Sequence, residues 1–97
     1  MDKAVIHITP GGKYEFLERD ILLQELMTTV CYIERVAFDG YDILCDEDGK
    51  PKGLPVSAIV GPHVMVGELF IGSISHTHLR AIPKSEAEHL LGKIKLQ

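Results

Sequence analysis

Ninety-seven residues with 45% hydrophobic and 25% charged side chains fit one compact domain, and exclude a disordered chain or a membrane-spanning bundle. Ten Lys and Arg against fourteen Asp and Glu give a net charge of −4. That balance is too acidic for the cationic face of a nucleic-acid binder and too even for a carboxylate-dense nucleic-acid mimic.

The chain opens on Ala4-Val5-Ile6-His7-Ile8, a β-branched run that reads as a strand. Thr9-Pro10-Gly11-Gly12 closes it with turn chemistry. Lys13 to Glu18 alternates through Tyr14 and Phe16, so the two strands predict an N-terminal hairpin. From Arg19 to Val30 the period changes. Leu22, Leu23, Leu26, Met27 and Val30 recur at three- and four-residue spacings, which predicts a helix, with Asp20 as its N-cap.

Strand character returns over Tyr32–Phe38. Asp39-Gly40 predicts a tight hairpin into Tyr41–Cys45, because both positions tolerate positive φ. Asp46 to Lys50 forms the next turn. Gly53-Leu54-Pro55 is constrained backbone, since Pro55 fixes its own φ and extends Leu54. Val56–Val60 reads as one helical turn ended by Gly61-Pro62. His63–Ile71 reads as a strand split at Gly67, and 72–81 as a loop or edge strand. Ser85 followed by Glu88 matches a capping box, and Ala87, Leu90, Leu91 and Ile94 then fall on one face of a C-terminal helix. The expected fold is a single α+β domain: a small, mostly antiparallel sheet of four to five strands with two helices, the second at the C-terminus.

The chemistry-bearing residues make no catalytic constellation. Asp42, Asp46, Glu47 and Asp48 lack the alternate-position oxygen pattern of a calcium loop, because Lys50, Pro51 and Lys52 occupy its continuation. They read as solvated turn carboxylates. His76 and His78 would share one side of a strand, but two imidazoles without further ligands do not make a zinc site. Cys31 and Cys45 carry no nucleophile signature, and Ser73 and Ser75 no strained elbow. The expectation is no catalytic residue, no metal and no cofactor. Met1 to His7 lacks the apolar core of a signal peptide and no stretch reaches a membrane span, so the expected location is the cytoplasm, without membrane partners and with reduced thiols. Tyr32 and Glu34 would present one strand face, the best local hint of a recognition surface.

Several motifs taken together resemble a known family. Leu22 to Leu26 precedes Val30-Cys31-Tyr32-Ile33-Glu34; Asp46-Glu47-Asp48-Gly49-Lys50 follows; then come Gly53-Leu54-Pro55 and the late strand Val66–Gly72. The combination is similar to the phage and mobile-element family known as the domain of unknown function numbered 3846. The resemblance covers 1–72, with Cys31 in place of the family's Gly and Ser57 in place of its Asn. Residues 73–97 lie beyond it, as an extension suited to dimerisation.

The resemblance implies a phage or mobile-element setting, the cytoplasm of a host cell and no particular reaction. The leading expectation is a small accessory protein that binds a host macromolecule, with inhibition of a host antiviral protein as its concrete form. The second is a small-molecule binder that sequesters a nucleotide signal in a pocket framed by Gly53, Leu54, Pro55, Tyr32 and Arg35. An enzyme comes last. Candidate binding residues are Tyr32, Glu34, Arg35, Gly53, Leu54, Pro55 and Ser57, and partners are a host protein or a small-molecule signal, with homodimers or higher homo-oligomers as a further expectation.

Overall fold

A computed structural model describes residues 2–27 and 33–97. Tyr32 and Cys31 lie outside the described residues, as do Thr28, Thr29 and Val30.

The N-terminal hairpin forms as the alternation dictates. β1 (Lys3–Thr9) and β2 (Lys13–Leu17) pair antiparallel from Val5/Leu17 to Thr9/Lys13. β4 (Ile33–Phe38) and β5 (Tyr41–Asp46) pair around a two-residue turn in which Asp39 and Gly40 take φ of 53° and 85°. That is the geometry the Asp-Gly pair favours. β8 (Leu69–Ser75) lies between these hairpins, with its first half against β1 and β5. One transverse row therefore runs Phe16, Ile6, Ile71, Ile43, Val36 across five strands.

Where β8 leaves β5, its second half pairs with β9 (His78–Arg80). The buried Asp42 stabilises this departure. Its Oδ2 accepts the Ile74 N–H at 2.8 Å and its Oδ1 takes the Arg35 guanidinium at 2.5 Å. β9 also pairs with β3 (Ile21–Leu22), and β10 (Ile82–Pro83) pairs with the start of β1. A second sheet is built from β6 (Val56–Val60), β7 (His63–Val66) and β11 (Lys95–Leu96), in the order β11-β6-β7.

The transverse row belongs to the larger of two cores. It is covered by α2 (Lys84–Gly92) and by the second sheet, which bury Ala87, Leu90, Ile94, Ala58, Val60 and Met65 against Ile6, Ile8, Ile43 and Ile71. The opposite face packs Val5, Leu44, Phe70 and Leu79 under Ile21 and Leu26. The last residues are stitched into this body. Gln97 donates from its backbone N–H to the Ser57 carbonyl at 3.0 Å and accepts from Gly11 at 2.9 Å.

Antiparallel pairing, two helices and the C-terminal position of the second agree with expectation, but the strand number does not. Eight strands make the first sheet and three the second, not four to five. Three local reasons account for the difference. First, the described part of the expected helix, 19–27, is not one continuous helix. Ile21 pairs with Leu79, and the Leu23 N–H donates to the Thr77 carbonyl at 2.9 Å, so cross-strand bonds take the backbone before a helix can start.

Among the described residues of that stretch, only α1 (Leu23–Leu26) is helical, and Leu22 and Met27 are exposed. Asp20 does not cap it, because its Oδ1 accepts the Ala81 N–H at 2.8 Å. The N-terminal bond is instead made by Glu25, whose carboxylate accepts the Leu22 N–H at 3.2 Å. Second, Val56–Val60 is a strand, not a helical turn. Its β-branched residues face β7 across the two-residue turn Gly61-Pro62. Third, 72–81 holds a hairpin with His76 at φ 52° in its turn, so His76 and His78 do not share a strand face.

The C-terminal helix begins one residue before Ser85. Pro83 occupies its N-cap position, and the Lys84 N–H donates to the Asp2 carbonyl at 2.8 Å. The capping box therefore does not form: a backbone carbonyl from the neighbouring strand end meets that first donor.

Candidate functional site

The turn after β5 is where sequence chemistry and tertiary structure meet. Asp46 ends β5 with its carboxylate turned back on its own loop. Oδ1 accepts the Asp48 N–H at 2.9 Å and Oδ2 takes Lys52 Nζ at 2.7 Å. The Lys52 ammonium, then the Asp48 amide, hold this carboxyl below the usual carboxylate range. Backbone bonds from Gly53 to Lys50 and from Leu54 to Gly49 tighten the loop.

Leu54 fastens the loop to the second sheet. Its side chain lies over Gly67, where an added Cβ would come within 2.8 Å of Leu54 Cδ1 and where φ is +71°. Both facts require glycine. The Gly67 N–H donates to the Pro55 carbonyl at 2.9 Å, and the wholly buried Ser57 hydroxyl donates to the Gly67 carbonyl. Leu54, Pro55 and Ser57 thus form a clamp between loop and sheet. Gly53 turns the chain at φ 72° and is exposed.

This clamp poises the β6–β7 hairpin beside β4 and β5, leaving a cleft of about 500 Å³. Val36, Cys45, Met65 and Val66 supply apolar lining, and Glu34, Glu47, Lys50 and His63 supply polar groups. Among the described residues, neither Glu34 nor Glu47 has a cationic partner. Glu34 instead receives the Cys45 thiol, at 3.7 Å from Sγ to Oε1. Burial first, and the Glu34 carboxylate second, push the Cys45 thiol up to about 11. A nucleophilic cysteine needs the opposite setting, an accessible thiol beside positive charge.

Of the expected binding residues that are described, only Glu34 borders this cleft. Arg35, its neighbour in β4, points to the other sheet face and pairs with Asp42. Ser57 is interior, and Leu54 is half-buried in the clamp. Arg35 thus stands on the opposite sheet face from the cleft and Gly53-Leu54-Pro55 at the clamp, while Tyr32, the remaining residue of the expected pocket, lies outside the described residues. His63 and Cys45, which no sequence motif joins, do border the same cleft.

A second constellation also escaped the sequence. His7 stacks on Phe70 with ring centroids 4.4 Å apart and planes 6° from parallel. Its Nδ1 lies 3.1 Å from Glu15 and its Nε2 2.8 Å from Glu68. Both contacts are hydrogen bonds when both ring nitrogens carry protons. The cluster ties β2 to the β7–β8 turn from the opposite sheet face, beside a hollow of about 380 Å³ bordered by Arg19, Glu25 and Leu26. Periodicity could show that His7 and Glu15 lie on strands; it could not bring Glu68 to them. Among the described residues, no group of three or more His, Cys, Asp and Glu is arranged to hold a metal ion, and no helix is long and apolar enough to cross a membrane.

Comparison with known protein families, with curated proteins and with solved structures gives no match to this chain.

Proposed function

We propose that this protein acts by binding another protein through the cleft between β4–β5 and β7. The observation that carries this reading is the cleft's composition: aliphatic lining beside two carboxylates, Glu34 and Glu47, that no cation of the described residues satisfies. Such groups lose little on meeting a positive partner, because no internal ion pair must first be broken. The raised thiol of Cys45 argues against its use as a nucleophile at neutral pH. The motif resemblance to the phage and mobile-element family supplies the setting, in which the protein is an accessory factor that inhibits a host antiviral protein.

A small-molecule ligand is the second reading. The cleft volume falls within the range of about 300–1,000 Å³ typical of ligand sites. Its carboxylates suit a cationic ligand and disfavour the phosphates of a nucleotide signal, and Arg35, expected to help frame a nucleotide pocket, faces away.

The test compares three immobilised proteins in host lysate: the parent, Glu34→Lys/Glu47→Lys, and Glu88→Lys on the exposed side of α2. One captured protein should be retained by the parent and by Glu88→Lys, and lost from the cleft variant while its circular dichroism stays that of the parent. The same cleft variant should fail to restore phage plating on a host defended by the captured protein. Equal capture by all three folded proteins would refute the cleft as the binding surface.

A further inference from the structure

Consecutive strand residues point to opposite faces of a sheet. A hollow facing one side of a strand is therefore bordered by alternate residues, as β4 borders the cleft with Glu34 and Val36. β7 behaves differently. His63, Val64, Met65 and Val66, four residues in succession, all border it. That is possible when the hollow runs along the edge of the strand. β6 occupies one edge of β7, and among the described residues no strand pairs with the other. The open edge is thus a wall of the cleft.

The hairpin turn sets which backbone groups that wall presents. β6 and β7 are joined by Gly61-Pro62, with Gly61 at φ 56° and Val60 opposite His63. In a two-residue hairpin the closing pair is the hydrogen-bonded one. The next pair is Ile59/Val64, so the alternation turns the N–H and C=O of Val64 outward. An unpaired strand edge of this kind is a template for an added strand.

We propose that the cleft accepts an extended segment of a partner protein, which adds to the open edge of β7 and places a Lys or Arg side chain between Glu34 and Glu47. This deepens the binding function proposed above and rests on the same cleft. The charge argument fixes the occupant's sign. Asp46 is matched by Lys52 at 2.7 Å, which leaves Glu34 and Glu47 against Lys50 on the cleft lining. The Cys45 thiol is raised by burial first and then by Glu34 and Asp46, with Lys50 opposing them least. Val36, Met65 and Val66 then receive aliphatic side chains flanking the basic one.

The experiment titrates the full chain with three acetylated peptides: Thr-Val-Thr-Lys-Thr-Val-Thr, the same peptide with Glu at its centre, and the Lys peptide fully N-methylated. Affinity is read by fluorescence anisotropy, and the strand contact by amide exchange at Val64. The Lys peptide should bind about tenfold or more tighter than the Glu peptide at low salt. Glu34→Gln/Glu47→Gln should erase that preference, the N-methylated peptide should not bind, and the Val64 amide should exchange more slowly in the complex. Equal affinities, binding of the N-methylated peptide or failure of the Lys peptide would overturn strand addition. So would sedimentation showing that a second copy of the chain occupies β7 and excludes the peptide. If the Lys peptide fails while Glu34→Lys/Glu47→Lys still abolishes capture from lysate, strand addition falls and the cleft stands as the binding surface.

Discussion

Cys45 offers a direct measure of the cleft's electrostatics. The residue is 5% exposed, its thiol donates towards Glu34, and its pKa rises from 9.0 to about 11. At pH 8 that shift lowers the thiolate fraction about a hundredfold, from roughly a tenth to roughly a thousandth. Alkylation by iodoacetamide, which requires thiolate, should be at least about a hundredfold slower in the folded protein than in urea. Trypsin cuts after Arg35 and Lys52 and spares the Lys50–Pro51 bond, so Cys45 is read by mass spectrometry on the fragment 36–52, separately from Cys31.

The same shift has a stability consequence. The folded state retains the thiol proton that the unfolded chain begins to release near pH 9. Stability is therefore full below that pH and falls as pH rises towards about 11. The upper limit of the loss is about 2–3 kcal/mol, at about 1.4 kcal/mol per pH unit, and water at the cleft mouth reduces it. Urea melts between pH 8 and 11 should show this slope in the parent and lose it in Cys45→Ala. Glu34→Gln should pull the alkylation profile part of the way back towards pH 9. A Cys45 that alkylates as fast folded as unfolded would refute the electronegative, desolvated cleft floor on which both functional proposals draw.

Three further outcomes follow from the packing. Ser57→Ala removes the buried donor to the Gly67 carbonyl and should cost about 1–3 kcal/mol in urea denaturation, whereas Gly53→Asn, at an exposed turn, should cost far less. Leu90→Ala, at a site on α2 that is 1% exposed in the larger core, should cost about 2–5 kcal/mol and be seen as a lower thermal midpoint. Asp46→Asn removes a carboxylate held below its usual range by Lys52 and the Asp48 amide. The stability that this carboxylate confers is present above its unfolded pKa and lost as pH falls through the folded value, so the variant should show a shallower acid limb in pH-dependent melts.

The pattern of success and failure has a physical basis. The hairpins at Gly11-Gly12 and Asp39-Gly40 were legible because turn geometry and side-chain alternation act between near neighbours. Over 19–27, the described part of the expected helix, a favourable spacing of leucines competes with pairing to β9, whose Leu79 lies 58 residues from Ile21. Val56–Val60 was misread although its signal was present: β-branched residues on both sides of a Gly-Pro turn specify a hairpin. Glu34 reached the cleft, and alternation along β4 sends Arg35 to the opposite face, but its partner there, Asp42, also bonds Ile74 thirty-two residues further along the chain.

Composition, charge and the order of apolar residues and turns by themselves determined an acidic α+β chain of short antiparallel strands with a C-terminal helix. Tertiary structure alone decided that the described strands form two sheets, that His7 meets Glu68 across 61 positions, and that the edge of β7 with no partner among the described residues borders a carboxylate-lined cleft. Turns and alternation arise from forces between residues a few bonds apart. Which face is covered and which edge stays open depends on partners brought together only when the remote parts of the chain collapse onto one core.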